Sequence, residues 1–189
     1  MPAFGRSVRS ILVEVGSIVL GVLLALGVSE WAQQRDREEQ AENALRNVAQ
    51  ELRWNLDLLE RLHTNNAATL RLLDEAVEDD DAEGNIVPGL QLRETAYQTL
   101  VTTGIANYIG FDRVLSLSET YSMQGVYKHI GRQLAEAAMA MAAHASALGT
   151  EVDNQHYQRQ FRPYFDMLVA AEEQLLGSYR DALQELGDN

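Results

Sequence analysis

The hydrophobic pattern begins with one unbroken apolar run near the amino terminus, from Ile11 to Val28. Its 18 residues carry a single charge, at Glu14, and twelve of them are Leu, Ile or Val. An α-helix of this length is about 27 Å long, close to the ~30 Å hydrocarbon core of a bilayer. Trp31 follows at a position typical of an aromatic interface anchor. The run therefore predicts a membrane-spanning helix.

The free energy of insertion favours this prediction in spite of the carboxylate at Glu14. The twelve aliphatic residues contribute about 4–7 kcal/mol in favour of insertion. A carboxylate at the bilayer centre costs about 2.5–3.5 kcal/mol. Because Glu14 lies only four residues into the run, its side chain reaches toward the headgroups and the cost falls.

Glu14 shares one face of the predicted helix with Ser17, Gly21 and Ala25, because these residues follow one another at steps of three and four. Small residues at this spacing let another helix approach closely in lipid. A carboxylate on the same face is better explained by a protein partner than by lipid. We therefore expect a helix-packing face, against the alternative that Glu14 merely reaches the headgroups and that small residues are common in spans.

Beyond the span, apolar residues recur at the helical period, and no Gly or Pro interrupts residues 29–81. The apolar face is broader than the seam of a coiled coil, which favours a helix packed inside a bundle. Asn65 and Asn66 are a candidate break in this helix because Asn is a modest helix former.

An acidic segment at 78–89 is predicted to be a loop between helices. Asp79, Asp81 and Glu83 have the spacing of the first calcium ligands in a helix–loop–helix site. The twelfth position, where a bidentate Glu is required, holds Leu90. A solvated loop is therefore the favoured interpretation of this segment, and calcium binding is the alternative.

After the loop, the pattern predicts a short helix from Glu94 to Thr103 that ends at Gly104 in a left-handed cap. The connector from Ile105 to Phe111 is expected to bury its aromatic residues, and two longer helices follow. The sequence thus predicts an all-α fold in which a transmembrane helix continues into the long helix of an antiparallel helical bundle. The predicted parts are an amino-terminal tail (1–10), the anchor (11–31) and the bundle domain (32–189).

A cleaved signal peptide is the main alternative to a retained anchor. Arg6 and Arg9 would form its charged front, and residues 25–27 resemble a small-residue cleavage site. The apolar run is long for a signal core, however, and it contains a glutamate. The Lys and Arg counts on the two sides of the span are nearly level, with a preference for an amino terminus in the cytoplasm and a domain outside it.

The negative charge of the predicted domain limits the classes of molecule that it can bind. The formal net charge is −13, and 27 of the 28 acidic residues but only 13 of the 15 basic ones lie after the span. A domain this acidic is a poor candidate for nucleic acid or anionic lipid. The chain has no cysteine, which excludes disulfides, thiolate catalysis and cysteine zinc sites and is compatible with either compartment.

No catalytic, cofactor or metal motif stands out from the sequence. The histidines lack the three- or four-residue spacing that brings two ligands together on one helix face. Glu172 and Glu173 are expected on a solvated face, and nothing selects a buried carboxylate pair for acid–base chemistry among the 28 acids. We therefore expect no enzyme activity, no cofactor and no metal. The four histidines are His63, His129, His144 and His156.

The chain resembles a bacterial family of single-pass membrane proteins of unknown function. The likeness lies in residues 24–31, an apolar segment ending in Ser-Glu-Trp, and in residues 97–104 followed by a helix containing Tyr121. The family usually has asparagines where this chain has Ser29 and Glu30. The resemblance implies an uncleaved anchor, an all-helical domain and a bacterial inner membrane location, and it implies no chemistry.

These observations lead to one functional hypothesis and two alternatives. The favoured hypothesis is a non-enzymatic accessory or scaffold subunit of a larger membrane complex, respiratory or photosynthetic in type, whose partners are other integral membrane subunits and the bilayer. The first alternative is a homo-oligomeric anchor or sensor that binds a small ligand between its helices. The second is an enzyme whose site forms only in the folded domain.

Overall fold

The computed structural model describes the backbone of residues 8–75, 91–148 and 154–187. The predicted acidic loop at 78–89 and most of the predicted tail lie outside these ranges. No strand occurs within them, so the predicted all-α class is confirmed. The elements in chain order are α1 (Val8–Glu75), α2 (Thr95–Thr102), a 3-10 turn (Ile105–Tyr108), α3 (Phe111–Leu148) and α4 (Asn154–Gly187).

Helix α1 is unbroken over 68 residues, which corresponds to a length of about 100 Å. The predicted break at Asn65 and Asn66 is wrong. The Asn66 side chain is fully buried and its amide donates a 2.6 Å hydrogen bond to Glu172 on α4. This tertiary hydrogen bond outweighs the few tenths of a kcal/mol by which Asn disfavours a helix.

Helices α1 and α3 run parallel to each other, as the hydrogen bonds between them show. Glu51 of α1 contacts Tyr121 of α3, and four residues later on α1 Asn55 contacts Gln124. Parallel packing of the two helices requires the chain to return to the start of the bundle between them. The segment from residue 91 to the 3-10 turn makes this return along the side of α1.

The return segment is held against α1 at both ends. The backbone of Arg93 hydrogen-bonds the Asn55 side chain, and the Tyr108 ring lies 5.4 Å from the Arg37 guanidinium carbon. Between these points α2 ends at Thr102, and Gly104 two residues later has a left-handed φ of 73°, as predicted. The chain has therefore moved back about 18 residues of α1, or about 27 Å, before α3 begins.

Helix α4 is antiparallel to the other two. Its Glu172 contacts Asn66, whereas its later residue Arg180 contacts the earlier Glu60 at 2.8 Å. The antiparallel packing that the sequence predicts therefore holds for α4. Together α1, α3 and α4 bury an apolar core. It begins at Ala41 and includes Leu52, Leu59, Leu117, Leu168 and Leu175.

The apolar part of α1 lies outside this core. Every side chain from residue 12 to residue 40 is exposed. The helix contains a stretch that is long and apolar enough to cross a membrane, and none of that stretch is buried against the rest of the described chain. Residues 32–40 form an exposed helical stalk, about 14 Å long, between this stretch and the bundle.

Two leucines on α3 test the packing of the core. Leu117 is 1% exposed and Leu115 is 45% exposed. We expect Leu117→Ala to lower the free energy of unfolding by about 2–5 kcal/mol and Leu115→Ala by less than about 1 kcal/mol. Urea unfolding of the detergent-solubilised chain, followed by far-ultraviolet circular dichroism, measures both. Equal losses for the two variants would contradict this orientation of α3.

Candidate functional site

The four residues of the predicted packing face lie within the continuous helix α1. At about 100° per residue, Glu14, Ser17, Gly21 and Ala25 fall within an arc of about 80°. All four are exposed, and the Ser17 hydroxyl donates a 2.8 Å hydrogen bond to the Glu14 carbonyl oxygen. We call these four residues the acid–small face.

Gly21, in the middle of the acid–small face, has open space beside it. A β-carbon added at Gly21 would meet no atom within 4 Å. Trp31 is likewise exposed, and the Arg35 guanidinium carbon lies 5.3 Å from its ring centre. The surface around Gly21 and the Trp31 side chain are therefore accessible to lipid or to another chain.

The bundle contains a second feature, a row of buried polar side chains along its axis. A carboxylate or amide in such a core is costly unless its donors and acceptors are paired. Most of these side chains belong to three hydrogen-bonded groups, centred on Glu51, Asn55 and Glu172. The buried polar residues are Glu51, Asn55, Asn66, Thr69, Thr120, Gln124 and Glu172.

Glu51 attaches α2 to α1. Its carboxylate accepts hydrogen bonds from the backbone amides of Ala96 (2.9 Å) and Tyr97 (3.4 Å), at the start of α2. It also accepts one from the Tyr121 hydroxyl at 2.7 Å. The Tyr97 and Tyr121 rings stack at 4.2 Å, with planes 6° apart. A carboxylate at a helix start satisfies unpaired amides and complements the helix dipole.

Asn55 holds the extended residue Arg93 in place. Its side-chain oxygen accepts from the Arg93 amide and its nitrogen donates to the Arg93 carbonyl, both at 2.8 Å. Gln124 donates to the same carbonyl at 3.0 Å and accepts from the Tyr179 hydroxyl at 2.6 Å. The Arg93 guanidinium stacks on Trp54, 3.8 Å from the ring centre.

Glu172 is fully buried, so the prediction that it lies on a solvated face is wrong. Its Oε1 accepts hydrogen bonds from the Asn66 amide at 2.6 Å and the Tyr127 hydroxyl at 2.9 Å. Its Oε2 lies 3.3 Å from His63 Nδ1. Three helices thus meet on one carboxyl group, and His63 is the member of the group that reaches solvent, with 27% of its side chain exposed.

Burial raises the pKa of three side chains in the core, Glu172, Tyr121 and Tyr179. Desolvation raises the pKa of Glu172 above its ordinary value, although hydrogen bonds from Asn66 and Tyr127 and the charge of His63 act in the opposite direction. Desolvation also raises the pKa of Tyr121, and the neighbouring Glu51 adds to that effect. The pKa of Tyr179 is raised mainly by burial. Both phenols therefore remain protonated donors at neutral pH.

These groups are suited to holding helices in register. Glu51 already accepts three hydrogen bonds, which leaves little capacity for a substrate. The His63–Glu172 pair combines a possible proton donor and acceptor at 3.3 Å, with His63 partly accessible to solvent. Among the residues that the structure describes, no three histidine or carboxylate side chains gather as metal ligands.

A groove lies beside the Glu51 group, between α1 and α2, with a volume of about 650 Å³. Its lining includes Gln50, Trp54, Arg93 and Thr99 together with the edge of Glu51. This size lies within the range of small-molecule sites in proteins. Because the groove is open to solvent, it offers a surface for a ligand rather than a closed reaction chamber.

The buried polar groups were missed from the sequence, although their spacing carried a signal. Glu172 occupies a position in the apolar row of α4, between Leu168 and Leu175. Asn55 likewise falls between Leu52 and Leu59 on α1. A polar residue at a core position of an amphipathic helix indicates a buried and paired group. The partners themselves are not predictable from spacing because they come from other helices.

Two buried tyrosines provide a test of the Glu51 group. Tyr121→Phe removes a hydrogen bond to a carboxylate, and Tyr179→Phe removes one to a neutral amide. We expect losses of about 1.5–3 kcal/mol and about 0.5–1.5 kcal/mol in the free energy of unfolding. Urea titration measures both, and each variant is the control for the other because both keep the ring. A larger loss for Tyr179→Phe would contradict the greater contribution expected of the Tyr121–Glu51 hydrogen bond.

The raised pKa of Glu172 predicts a pH dependence of stability. Because the folded state favours the protonated carboxyl, this stabilisation is present below the unfolded pKa near 4.5 and is lost as pH rises through the folded pKa. The Gln side chain of Glu172→Gln has the same shape as a protonated Glu and stays neutral at every pH. This variant should therefore not lose stability as pH rises.

Unfolding titrations between pH 4.5 and pH 8 compare the two chains, both carrying His63→Gln so that His63 does not titrate. The chain with Glu172 should lose stability relative to the Gln variant as pH rises. Parallel pH profiles would show that the carboxyl titrates alike in the folded and unfolded states.

No protein-family model, curated protein or solved structure matches this chain. The likeness to a bacterial family of single-pass membrane proteins therefore stays a prediction that depends on residues 24–31 and 97–104.

Proposed function

We propose that this chain is a single-pass membrane protein that acts as a non-enzymatic accessory or scaffold subunit of a larger membrane complex. The observation that carries the proposal is the exposed acid–small face on a helix that continues without a break into the bundle. The partners are integral membrane subunits, of respiratory or photosynthetic type, and the bilayer itself. Nucleic acid is not a partner, because the domain is strongly acidic.

Lipid is a poor environment for the acid–small face. A carboxylate in the membrane costs up to about 2.5–3.5 kcal/mol, and a protein partner that donates a hydrogen bond or a charge to Glu14 offsets that cost. Gly21 and Ala25 present little more than backbone, so a second helix approaches closely there and gains dispersion contacts. Acid and small groups on one face thus favour a specific partner helix.

The stalk supports a positioning role. Helix α1 continues from the apolar stretch to its first buried residue, Ala41. Residues 28–41 contain no glycine or proline. A continuous helix fixes the distance and rotation of the bundle relative to the span far better than a flexible linker does. A subunit that is held by a partner in the membrane would therefore present its bundle in one orientation.

The chemistry of the core supports a role without catalysis. The hydrogen-bonding capacity of Glu51, Asn55 and Gln124 is used to connect helices.

The charge pattern, with Arg6 and Arg9 ahead of the span, favours a cytoplasmic amino terminus. We accordingly place the chain in a bacterial inner membrane with the bundle in the periplasm.

A pair of glycine variants tests the partner interface. Gly21 lies on the acid–small face, and Gly16 lies away from that face on the same helix, about 140° around the axis from Gly21. Neither position is crowded within the chain, since an added β-carbon meets nothing within 4 Å. We expect Gly21→Leu to abolish stoichiometric co-purification of partner subunits after gentle detergent extraction, because the larger side chain blocks close approach. Gly16→Leu should leave it intact.

Other outcomes of the same experiment contradict the proposal. A monodisperse monomer that co-purifies with nothing would overturn it, and so would equal behaviour of the two variants. A mature chain that begins after Gly27 would show that the apolar stretch is a cleaved signal.

A homo-oligomeric sensor is the second candidate, and the groove between α1 and α2 favours it. A ligand bound against Trp54 and Arg93 would contact the helix that continues into the span. Because the chain has no cysteine, Gly21→Cys creates a single crosslinking site. Efficient disulfide formation between copies in native membranes, with no other subunit present, would favour the sensor over the accessory subunit.

A further inference from the structure

We propose that the aromatic tip of the bundle, defined as residues 105–111, inserts Tyr108 and Phe111 into the headgroup layer of the bilayer that α1 spans. The inference rests on the membrane anchoring proposed above and adds a second point of contact with the same membrane. The occupant of this surface is the interfacial layer of a bilayer with no net charge.

The exposure of the tip is unusual. The sequence predicts that the connector buries its aromatic residues, and this is wrong for both of them. Phe111 is 76% exposed and Tyr108 is 40% exposed, whereas Ile109 between them is 8% exposed. The buried isoleucine fixes the tip to the bundle while both aromatic rings remain outside the core.

The topology places the tip at the end of the bundle that is nearest to the span. Helices α1 and α3 run parallel, so α3 begins where the bundle begins. The Tyr108 ring is 5.4 Å from the Arg37 guanidinium carbon, and Arg37 follows Trp31 by six residues. At 1.5 Å per residue, the α-carbon of Arg37 lies about 9 Å beyond that of Trp31.

Side-chain direction shortens this distance. Side chains on a helix tilt toward its amino terminus, which for both α1 and α3 is the end that faces the span. The Arg37 guanidinium, which lies 5.4 Å from the Tyr108 ring, is therefore closer to the membrane than the Arg37 backbone is. Phe111 is the first residue of α3, where the same tilt directs a side chain toward the amino-terminal end of the helix.

The remaining gap is within reach of an ordinary helix tilt. The headgroup layer is about 5–7 Å thick on each side of the hydrocarbon core, and Trp31 belongs in that layer. Spanning helices tilt by about 20° on average, and neighbouring helices lie about 8–10 Å apart. A tilt of that size toward the tip lowers it by about 3 Å, which brings the Phe111 and Tyr108 rings to the headgroups.

The chemistry of the tip fits the bilayer interface. Tyrosine and phenylalanine have an apolar ring, and they lose little side-chain conformational entropy when the ring is buried. Tyrosine also keeps its hydroxyl hydrated at headgroup level. Residues 35–42 and 112–113 carry three arginines and five acids, so the charge beside the tip is mildly negative. Because the domain as a whole is acidic, insertion of the rings is the attractive interaction and anionic lipid is disfavoured.

Single cysteines in the otherwise cysteine-free chain test the inference. The full-length chain is reconstituted in phosphatidylcholine vesicles, and an environment-sensitive fluorophore is attached at Phe111→Cys. Val126→Cys is the matched control, because Val126 is 57% exposed on the same helix and lies about 22 Å farther from the tip. Gly21→Cys reports insertion of the span.

We expect blue-shifted emission at position 111 and several-fold stronger quenching by headgroup-attached quenchers than at position 126. The label at position 21 should be quenched by acyl-chain quenchers. Tyr108→Cys, labelled in the same way, should behave like position 111, which guards against a local effect of one substitution.

Three results would overturn the inference, and they are distinguishable. Acyl-chain quenching at 21 with water-like emission at 111 and 108 would leave the anchor in place and remove the tip from the membrane. A water-like signal at 21 would overturn the anchor and, with it, the tip. Blue-shifted emission at 111 without lipid quenching, together with crosslinking of Phe111→Cys between copies, would show that protein covers the tip.

Discussion

The fold depends on the pairing of polar side chains in the core of the helical bundle. Apolar faces alone would let three long helices slide along one another by a turn at little cost, because one leucine contact replaces another. Glu51, Asn55 and Glu172 do not allow this, since each is buried and each needs specific donors or acceptors from another element. A shift of one turn, about 5.4 Å, would leave all three without partners.

This register has consequences for the whole molecule. Asn55 and Glu51 together hold residues 93–97 against α1, and so determine how far the chain travels back before α3 begins. That distance sets α3 parallel to α1 and carries the aromatic tip to the end of the bundle beside the stalk. The position of Phe111 at the end of the bundle beside the stalk is thus determined by hydrogen bonds more than 15 Å away along the helix axis.

The two proposed interactions of the chain with its surroundings differ in their physical basis. The acid–small face is suited to a neighbouring helix, because its small residues and its carboxylate gain little from contact with lipid and much from contact with another helix. The aromatic tip is suited to the bilayer surface itself. A span held by a partner on one side and a bundle supported on the headgroups would leave α1 little freedom to rotate or tilt, which suits a subunit that positions other components.

The sequence by itself determined the elements of local periodicity: an apolar stretch long enough to span a membrane, an all-α class, the continuation of that stretch into a long helix and the left-handed glycine that follows α2. These follow from residues three or four positions apart, or from one residue's backbone preference, so short-range patterns suffice. Only the tertiary structure decided that Asn66 continues a helix, that Glu172 is buried and that Phe111 is exposed. The physical reason is that these outcomes depend on pairings across the chain, such as Asn66 with Glu172 at a separation of 106 residues, which no local pattern contains.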